Sequence, residues 1–339
     1  MSIWIFLIAL LVVTLTVAAY STYGERKVAA LLQDRIGPDR AGPLGLLQPL
    51  ADGVKMFMKE DFVPAGANKR LFVFGPAIAM TTALLTGVVV PWGGTLTIGG
   101  LTINLQGADP EIGILYVFAM VSIGVYGIML GGWASNNKYA LLGAVRAASQ
   151  MVSYELAMGL SIAGLVMLTG TLSLSGIVAY QAANGWGILM QPLGFLIFLV
   201  CAFAETNRAP FDMPECETEL VGGYHTEFSS MKLGFYLFAE YVNMFITSAV
   251  IATLFFGAYH VPGLAALDLP PNAVTLIGLA AMFAKTFFFV FLFWWVRWST
   301  PRFRFDQLMG LGWKVLLPLA VLNILLTGGW YFIKPLIQP

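Results

Sequence analysis

Six carboxylates, Glu205, Asp212, Glu215, Glu217, Glu219 and Glu227, fall in one run, ETNRAPFDMPECETELVGGYHTEFSS (205–230), of a 339-residue chain with only 18 acidic residues. Acidic groups this close, followed by the apolar, glycine-containing stretch Leu220-Val221-Gly222-Gly223, have two uses. Held in a protein-lined cavity at membrane level, they titrate as a coupled set, pass protons and respond to any charge that changes nearby. Held in a wet loop, they are merely solvated, and those after Pro214 are favoured at a helix start. A helix start does not explain why Glu215 and Glu219, four apart on one face, tolerate their mutual repulsion. Glu155 and Glu240 open two apolar segments, where snorkelling at a helix end is a sufficient account. Lys285 lies near the middle of another, where a charge costs at least about 2.5–3.5 kcal/mol. It is expected to be neutral or paired with a carboxylate on another segment, Glu240 for one.

Other chemistries lack their residues. The only cysteines are Cys201 and Cys216, and the only histidines, His225 and His260, lie in separate loops. That is too few for a disulfide scaffold, a thiolate iron–sulfur site or a four-cysteine zinc site, and no metal site is expected. No glycine-rich phosphate loop has the needed spacing. Zero net charge gives no electrostatic footprint for nucleic acid.

The elements that must position these groups are membrane helices. The chain is 58% hydrophobic and 11% charged, with a mean hydropathy of +0.80, whereas soluble domains carry about 25% charge. Eight apolar segments stand at about 3–20, 71–91, 113–133, 156–171, 188–204, 237–257, 273–296 and 313–333, against a requirement of roughly 17–25 residues per span. Sustained period-two alternation is missing, which excludes a transmembrane barrel. The fold class is therefore an all-α polytopic membrane protein of about eight spans, one membrane domain over 1–339. Its odd-numbered connections, 21–70, 134–155, 205–236 and 297–312, hold fifteen of the eighteen basic residues. The positive-inside rule places these loops in the cytoplasm and both termini on the periplasmic side. The first span has no basic residue before it and reads as a retained anchor, not a cleaved signal. Within 21–70, Gly37-Pro38 and Gly42-Pro43 interrupt any helix. After Pro49, Leu50, Val54, Phe57 and Met58 share one helical face, with Asp52, Lys55, Lys59 and Glu60 largely elsewhere. This is an amphipathic helix lying in the interface, packed on neighbouring subunits, or both.

Three loop motifs carry a resemblance: GERKVAALLQDRIGPDRAGPLGLLQPLADGVKMFMKED (24–61), ETNRAPFDMPECETELVGGYHTEFSSMKLGF (205–235) and RFRFDQLMGLGWKVLLPLA (302–320), with SYELAMGLS (153–161) in keeping. Together they resemble the membrane H-subunit family of respiratory complex I, over nearly the whole chain. The resemblance implies a membrane component of proton-translocating NADH:quinone oxidoreductase. Such a subunit builds much of the quinone cavity, links quinone reduction to proton pumping, binds no cofactor of its own and is inactive alone. Quinone is the substrate, while FMN and iron–sulfur clusters belong to partner subunits. The implied partners are peripheral quinone-site subunits and adjacent small membrane subunits, in a bacterial inner membrane. By the same resemblance, Glu25, Arg26, Arg35, Asp52 and Lys55 shape the quinone cavity. Glu155, Asp212, Glu215, Glu219, Glu227 and Glu240 belong to the acidic coupling region; Glu217, by its place in the same run, and Lys285, by its mid-span position, are grouped with them from the residues and not from the resemblance. Arg208 is their counter-charge, and Arg297, Arg302, Arg304 and Asp306 order loops or dock partners. Cys216 and Asp39 depart slightly from the family pattern. The alternatives are the corresponding subunit of a membrane-bound hydrogenase or a ferredoxin- or deazaflavin-linked complex, and a stand-alone proton or cation transporter. A transporter is expected to show two similar halves with broken helices, and no internal repeat is visible.

Overall fold

Lipid offers the backbone no hydrogen-bond partner, so long apolar runs satisfy their own amides as helices. The computed structural model of the chain describes residues 2–214, 217–264, 267 and 269–337. In chain order the helices are α1 (Ser2–Leu32), α2 (Gln48–Met58), α3 (Lys69–Thr86), α4 (Gly113–Ala134), α5 (Lys138–Thr169), α6 (Leu174–Asn184), α7 (Gly187–Met190), α8 (Pro192–Glu205), α9 (Glu217–Leu220), α10 (Ser230–Phe256), α11 (Pro271–Ser299), α12 (Phe305–Leu311) and α13 (Leu317–Ile337). A π-helical turn over Gly312–Leu316 runs α12 into α13. An antiparallel hairpin, β1 (Thr95–Ile98) with β2 (Leu101–Asn104), stands between α3 and α4.

Among the described residues, seven helical spans are long and apolar enough to cross a membrane: α1, α3, α4, α5, α10, α11 and the α12–α13 unit. The eighth expected segment, 188–204, is divided. Gln191, at φ −136° and ψ 60°, separates α7 from α8, and Pro192 opens α8. Proline donates no backbone hydrogen bond and suits a first helical position, which accounts for the break. The 14 residues of α8 rise only about 21 Å.

Three helices run further into the charged connections than hydropathy indicates. The first continues from the expected end near residue 20 to Leu32 and carries Glu25, Arg26 and Lys27 on helix. The fourth expected span begins at Lys138, so Glu155 lies mid-helix and does not open it. The sixth begins at Ser230, two to three turns before Glu240. Hydropathy marks where lipid ends, but Glu, Arg, Lys and Ala are good helix formers and continue the helix beyond it. Asn68 and Asn137 start α3 and α5 by accepting from the backbone amides of Leu71 and Tyr139, as capping residues do.

Close packing of α3, α4 and α10 holds the centre. A Cβ on Gly127 would sit 2.9 Å from both the Ala79 amide nitrogen and the Gly75 carbonyl oxygen. The Tyr236 hydroxyl on α10 donates to the Gly127 carbonyl at 2.9 Å. Small residues at such crossings let backbones approach where no hydrophobic force drives association.

Candidate functional site

Two features meet on the charged-loop side of the bundle. The first is a cavity of about 260 Å³ between α1, α2 and α10. Arg26, Asp52 and Lys55 supply its polar lining, and Met56, Phe238 and Tyr241 much of the rest. Arg26 Nη1 pairs with Asp52 Oδ2 at 2.8 Å, and Gln48 Nε2 donates to Asp52 Oδ1 at 3.1 Å. The Tyr23 hydroxyl donates to the Leu44 carbonyl at 2.7 Å. These bonds tie α2 and the loop before it to α1. No residue of α2 is buried, and Leu50, Val54, Phe57 and Met58 are exposed, which suits a helix lying in the interface plane. Arg35 lies elsewhere, with Arg26 and Trp298 in a separate cavity of about 250 Å³ at the end of α1.

The second feature is a buried cluster of opposite charges. Arg208, in the turn after α8, has a side-chain exposure of 0%. Its Nη1 donates to Glu25 Oε2 at 2.7 Å. Its Nε lies 3.0 Å from Glu240 Oε1, an ion pair without hydrogen-bond geometry. Its guanidinium stacks on the Tyr241 ring, 4.4 Å from the centroid. Glu25 also pairs through Oε1 with Arg297 Nη1 at 2.7 Å. Burial opposes the charge on Arg208, but Glu240 and Glu25 outweigh it and keep the guanidinium protonated. Tyr241 also lines the first cavity, so it touches both that cavity and the buried charges.

The cluster leads inward. Glu240, Glu205, Asn207, Tyr224, Tyr236 and Asn243 are among the residues around a small cavity of about 50 Å³, which has room for about three water molecules. Glu205 ends α8, and both its carboxyl oxygens are buried without a hydrogen-bond partner. An ionisable group so placed responds first to its removal from water and then to neighbouring charges. Glu155 on α5 acts on it electrostatically and accepts a short hydrogen bond from Ser122 on α4. Glu25, Arg208, Glu240, Glu205 and Glu155 thus form an ionisable column from α1 to the α4–α5 pair.

The family model described as NADH dehydrogenase matches residues 5–328. The chain belongs to the NADH dehydrogenase family. It is similar to the NADH-quinone oxidoreductase H-subunit 1 of Cytophaga hutchinsonii, at 64% identity over 94% of each chain. It is also similar to the NADH-quinone oxidoreductase H-subunit of Flavobacterium psychrophilum, at 61% identity over 95% of this chain and 94% of that one. The protein called NADH-quinone oxidoreductase subunit 8 in Rhodothermus marinus is 48% identical over 95% of this chain and 96% of its own length.

In this member of the NADH dehydrogenase family the expected site residues separate into groups. Arg26, Asp52 and Lys55 line one cavity, as grouped from sequence, but Glu25 enters the buried column instead. Of the acidic coupling set, Glu155 and Glu240 belong to the column. Asp212 is buried and pairs with Arg302 at 2.8 Å, tying the turn to the segment before α12. Glu219 is half-exposed and pairs with Arg146 on α5 at 2.5 Å. Glu227 accepts from Asn137 Nδ2 at 2.6 Å. These last two pin the 217–229 segment to the start of α5 and stand apart from the column. Arg304 and Asp306 are exposed and pair with each other. Glu215 and Cys216 lie outside the described residues, as does the side chain of Glu217.

Lys285 is not paired with Glu240. Its Nζ donates to the carbonyls of Phe256, Ala258 and His260 at 2.8, 2.6 and 2.8 Å. It closes the C-terminal end of α10, while Glu240 lies beside Arg208. An ammonium has three donors, and here they meet the last carbonyl of α10, at Phe256, and two carbonyls of the loop that follows, at Ala258 and His260. From sequence Glu205 counts only as one carboxylate of the acidic run, and Tyr241 has no role. Glu205 carries a signal, since it directly follows the apolar segment 188–204. Tyr241 carries none, because an aromatic ring in a membrane helix is ordinary.

Proposed function

We propose that this chain is the membrane subunit of a proton-translocating NADH:quinone oxidoreductase. It shapes the membrane side of a quinone cavity and passes the charge change of quinone reduction into a buried acidic column. The observation that carries the reading is Tyr241, shared between the cavity of α1, α2 and α10 and the Arg208–Glu25–Glu240 cluster. The names of the relatives support the same assignment.

The quinone lies against Met56 and Phe238, whose apolar surfaces suit an isoprenoid tail, and the Arg26–Asp52 pair holds the mouth of the cavity in shape. Two electrons come from partner subunits, which carry the flavin and iron–sulfur clusters, and two protons complete the quinol. Negative charge on the reducing headgroup is felt by the column. At an effective dielectric near 20, a unit charge at 4 Å is worth about 4 kcal/mol, and at 15 Å about 1 kcal/mol. A single long step is therefore weak, and short steps through Arg208, Glu240 and Glu205 are strong. Glu205 holds or releases a proton at its orphan oxygens as Glu240 and Glu155 change charge. The charged loops face the cytoplasm of a bacterial inner membrane, and the chain has no activity without its partners.

Gly53 tests the cavity, because a Cβ added there meets nothing within 4 Å. In membranes carrying Gly53→Phe, the apparent KM for a long-chain quinone should rise by roughly tenfold, the size of a modest steric penalty of ~1.4 kcal/mol. NADH oxidation with ferricyanide should stay normal. An unchanged KM would remove the quinone from this cavity. Glu205→Gln should lower turnover with quinone and the protons moved per electron, again with ferricyanide reduction retained.

A further inference from the structure

Gln150, on α5, is fully buried and belongs to none of the groups above. Its side-chain nitrogen lies 2.6 Å from the Ala204 carbonyl, 2.8 Å from the Phe211 carbonyl and 3.3 Å from Asn207 Oδ1. Two backbone carbonyls can only accept, so the group facing them must be the NH2 and not the amide oxygen. Ala204 is the penultimate residue of α8, and Phe211 follows the turn that leaves it. One side chain therefore clamps both ends of the turn 204–211. Within that turn sit Glu205, with its orphan oxygens, and Arg208, which holds Glu25 and Glu240. The turn's own backbone bonds are mixed: Asn207 N reaches Ala204 O at 3.3 Å and Arg208 N reaches Phe203 O at 3.4 Å, while Thr206 N reaches Ala202 O at 3.1 Å and Phe211 N reaches Arg208 O at 2.8 Å. The stretch between Thr206 and Phe211 is held by its two long bonds and by outside anchors, among them Phe303 N on the Pro210 carbonyl at 3.2 Å and Gln150.

We propose that Gln150 is a positioning residue: by clamping Ala204 and Phe211 it sets where Glu205 and Arg208 stand in the acidic column. The effect on turnover rests on the function proposed above, whereas the clamp itself does not.

Two substitutions separate shape from hydrogen bonding. Gln150→Leu fills the space but donates nothing: the Phe211 carbonyl loses this donor and the Ala204 carbonyl keeps a long bond from Asn207 N. Gln150→Glu keeps the shape, yet a carboxylate faces two carbonyl oxygens and repels them, and only its protonated form donates. The ionisable groups on the elements packed around residue 150 include Arg146, Tyr154 and Glu155 on α5, Cys201 and Glu205 on α8, Glu219 on α9, Tyr224 and His225 in the turn before α10, Glu240 on α10, and Arg208 and Asp212 in the turn after α8, with Arg302 on Asp212. Each variant is therefore read as a ratio to the unsubstituted complex at the same pH.

Two measurements are made on the intact purified complex: hydrogen–deuterium exchange of peptides covering 203–212, and NADH:quinone turnover between about pH 8 and about pH 6. Gln150→Leu should exchange faster over 203–212 at every pH, with turnover lowered about tenfold, the effect of roughly one buried hydrogen bond lost. Gln150→Glu should match it at high pH and recover both exchange protection and turnover as pH falls. Unchanged exchange in Gln150→Leu overturns the clamp whatever the turnover. The absence of any pH-dependent recovery in Gln150→Glu overturns the hydrogen-bonding role. Faster exchange with normal turnover keeps the clamp and removes the column from the reaction, which counts against the proposed function and not against Gln150.

Discussion

Arg208 holds Glu25 and Glu240 and stacks on Tyr241, and its chemistry depends on a planar fork. A lysine keeps the charge but cannot span Glu25 and Glu240 while stacking on Tyr241. Arg208→Lys is expected to lower the stability of the assembled complex by about 2–4 kcal/mol, in the range for disturbing a buried ion pair. Thermal unfolding of the purified complex checks this, and a midpoint within error of the unsubstituted complex would contradict it. Lys285 calls for the opposite readout. Lys285→Met leaves three carbonyls at the end of α10 without their donor, each costing about 1–3 kcal/mol where buried. The amount of assembled complex should fall while turnover per assembled complex stays normal. Reduced turnover at normal abundance would restore a coupling role to Lys285. At this scale the sequence was informative about residue type and poor about partners. A lysine in an apolar segment had to be satisfied, but carbonyls from a neighbouring helix end satisfy it as well as a carboxylate does, and nothing in the local pattern distinguishes the two. Glu25 and Arg208 lie 183 positions apart, so their pairing had no local signature.

Helix positions were legible because lipid demands apolar runs, and helix ends were not. Hydropathy responds to the membrane boundary, whereas α1, α5 and α10 continue through charged residues that favour helix as much as apolar ones do. That shift changes the surroundings of Glu155, since it moves the residue from a helix end into the body of α5, where Ser122 of α4 meets it. The break at Gln191 is marked in the sequence by Pro192, but hydropathy passes over it because the residues on both sides are apolar. Packing between elements yields its own test. A Cβ on Gly131 would overlap the Tyr236 hydroxyl oxygen, which is itself bonded to Gly127. Gly131→Ala should destabilise the α3–α4–α10 core by about 1–3 kcal/mol, the usual penalty for overpacking. Adding Tyr236→Phe removes the clashing oxygen and should recover part of that loss. Thermal midpoints of the two complexes decide, and additive losses would show that the two groups do not meet.

Across the whole molecule, the basic residues are gathered in alternate connections, and this asymmetry predicts that both termini lie outside the cytoplasm. The α7–α8 pair must then cross the bilayer as a broken helix. A C-terminal alkaline phosphatase fusion should be active and a fluorescent-protein fusion at the same point dark. The reverse pattern would mean that α7 and α8 do not cross. The pairing of Glu25 with Arg208 and Arg297 also bears on biogenesis. Ribosomes deliver α1 first and the end of α11 nearly last, so Glu25 enters the membrane long before either arginine has been made. Its helix must wait, loosely held, through the insertion of most of the chain. Closure of the ion cluster is thus a late event in maturation, one that only a chain with its later helices in place can complete, and a chain truncated before Arg297 leaves the insertion machinery with its first helix still unlatched.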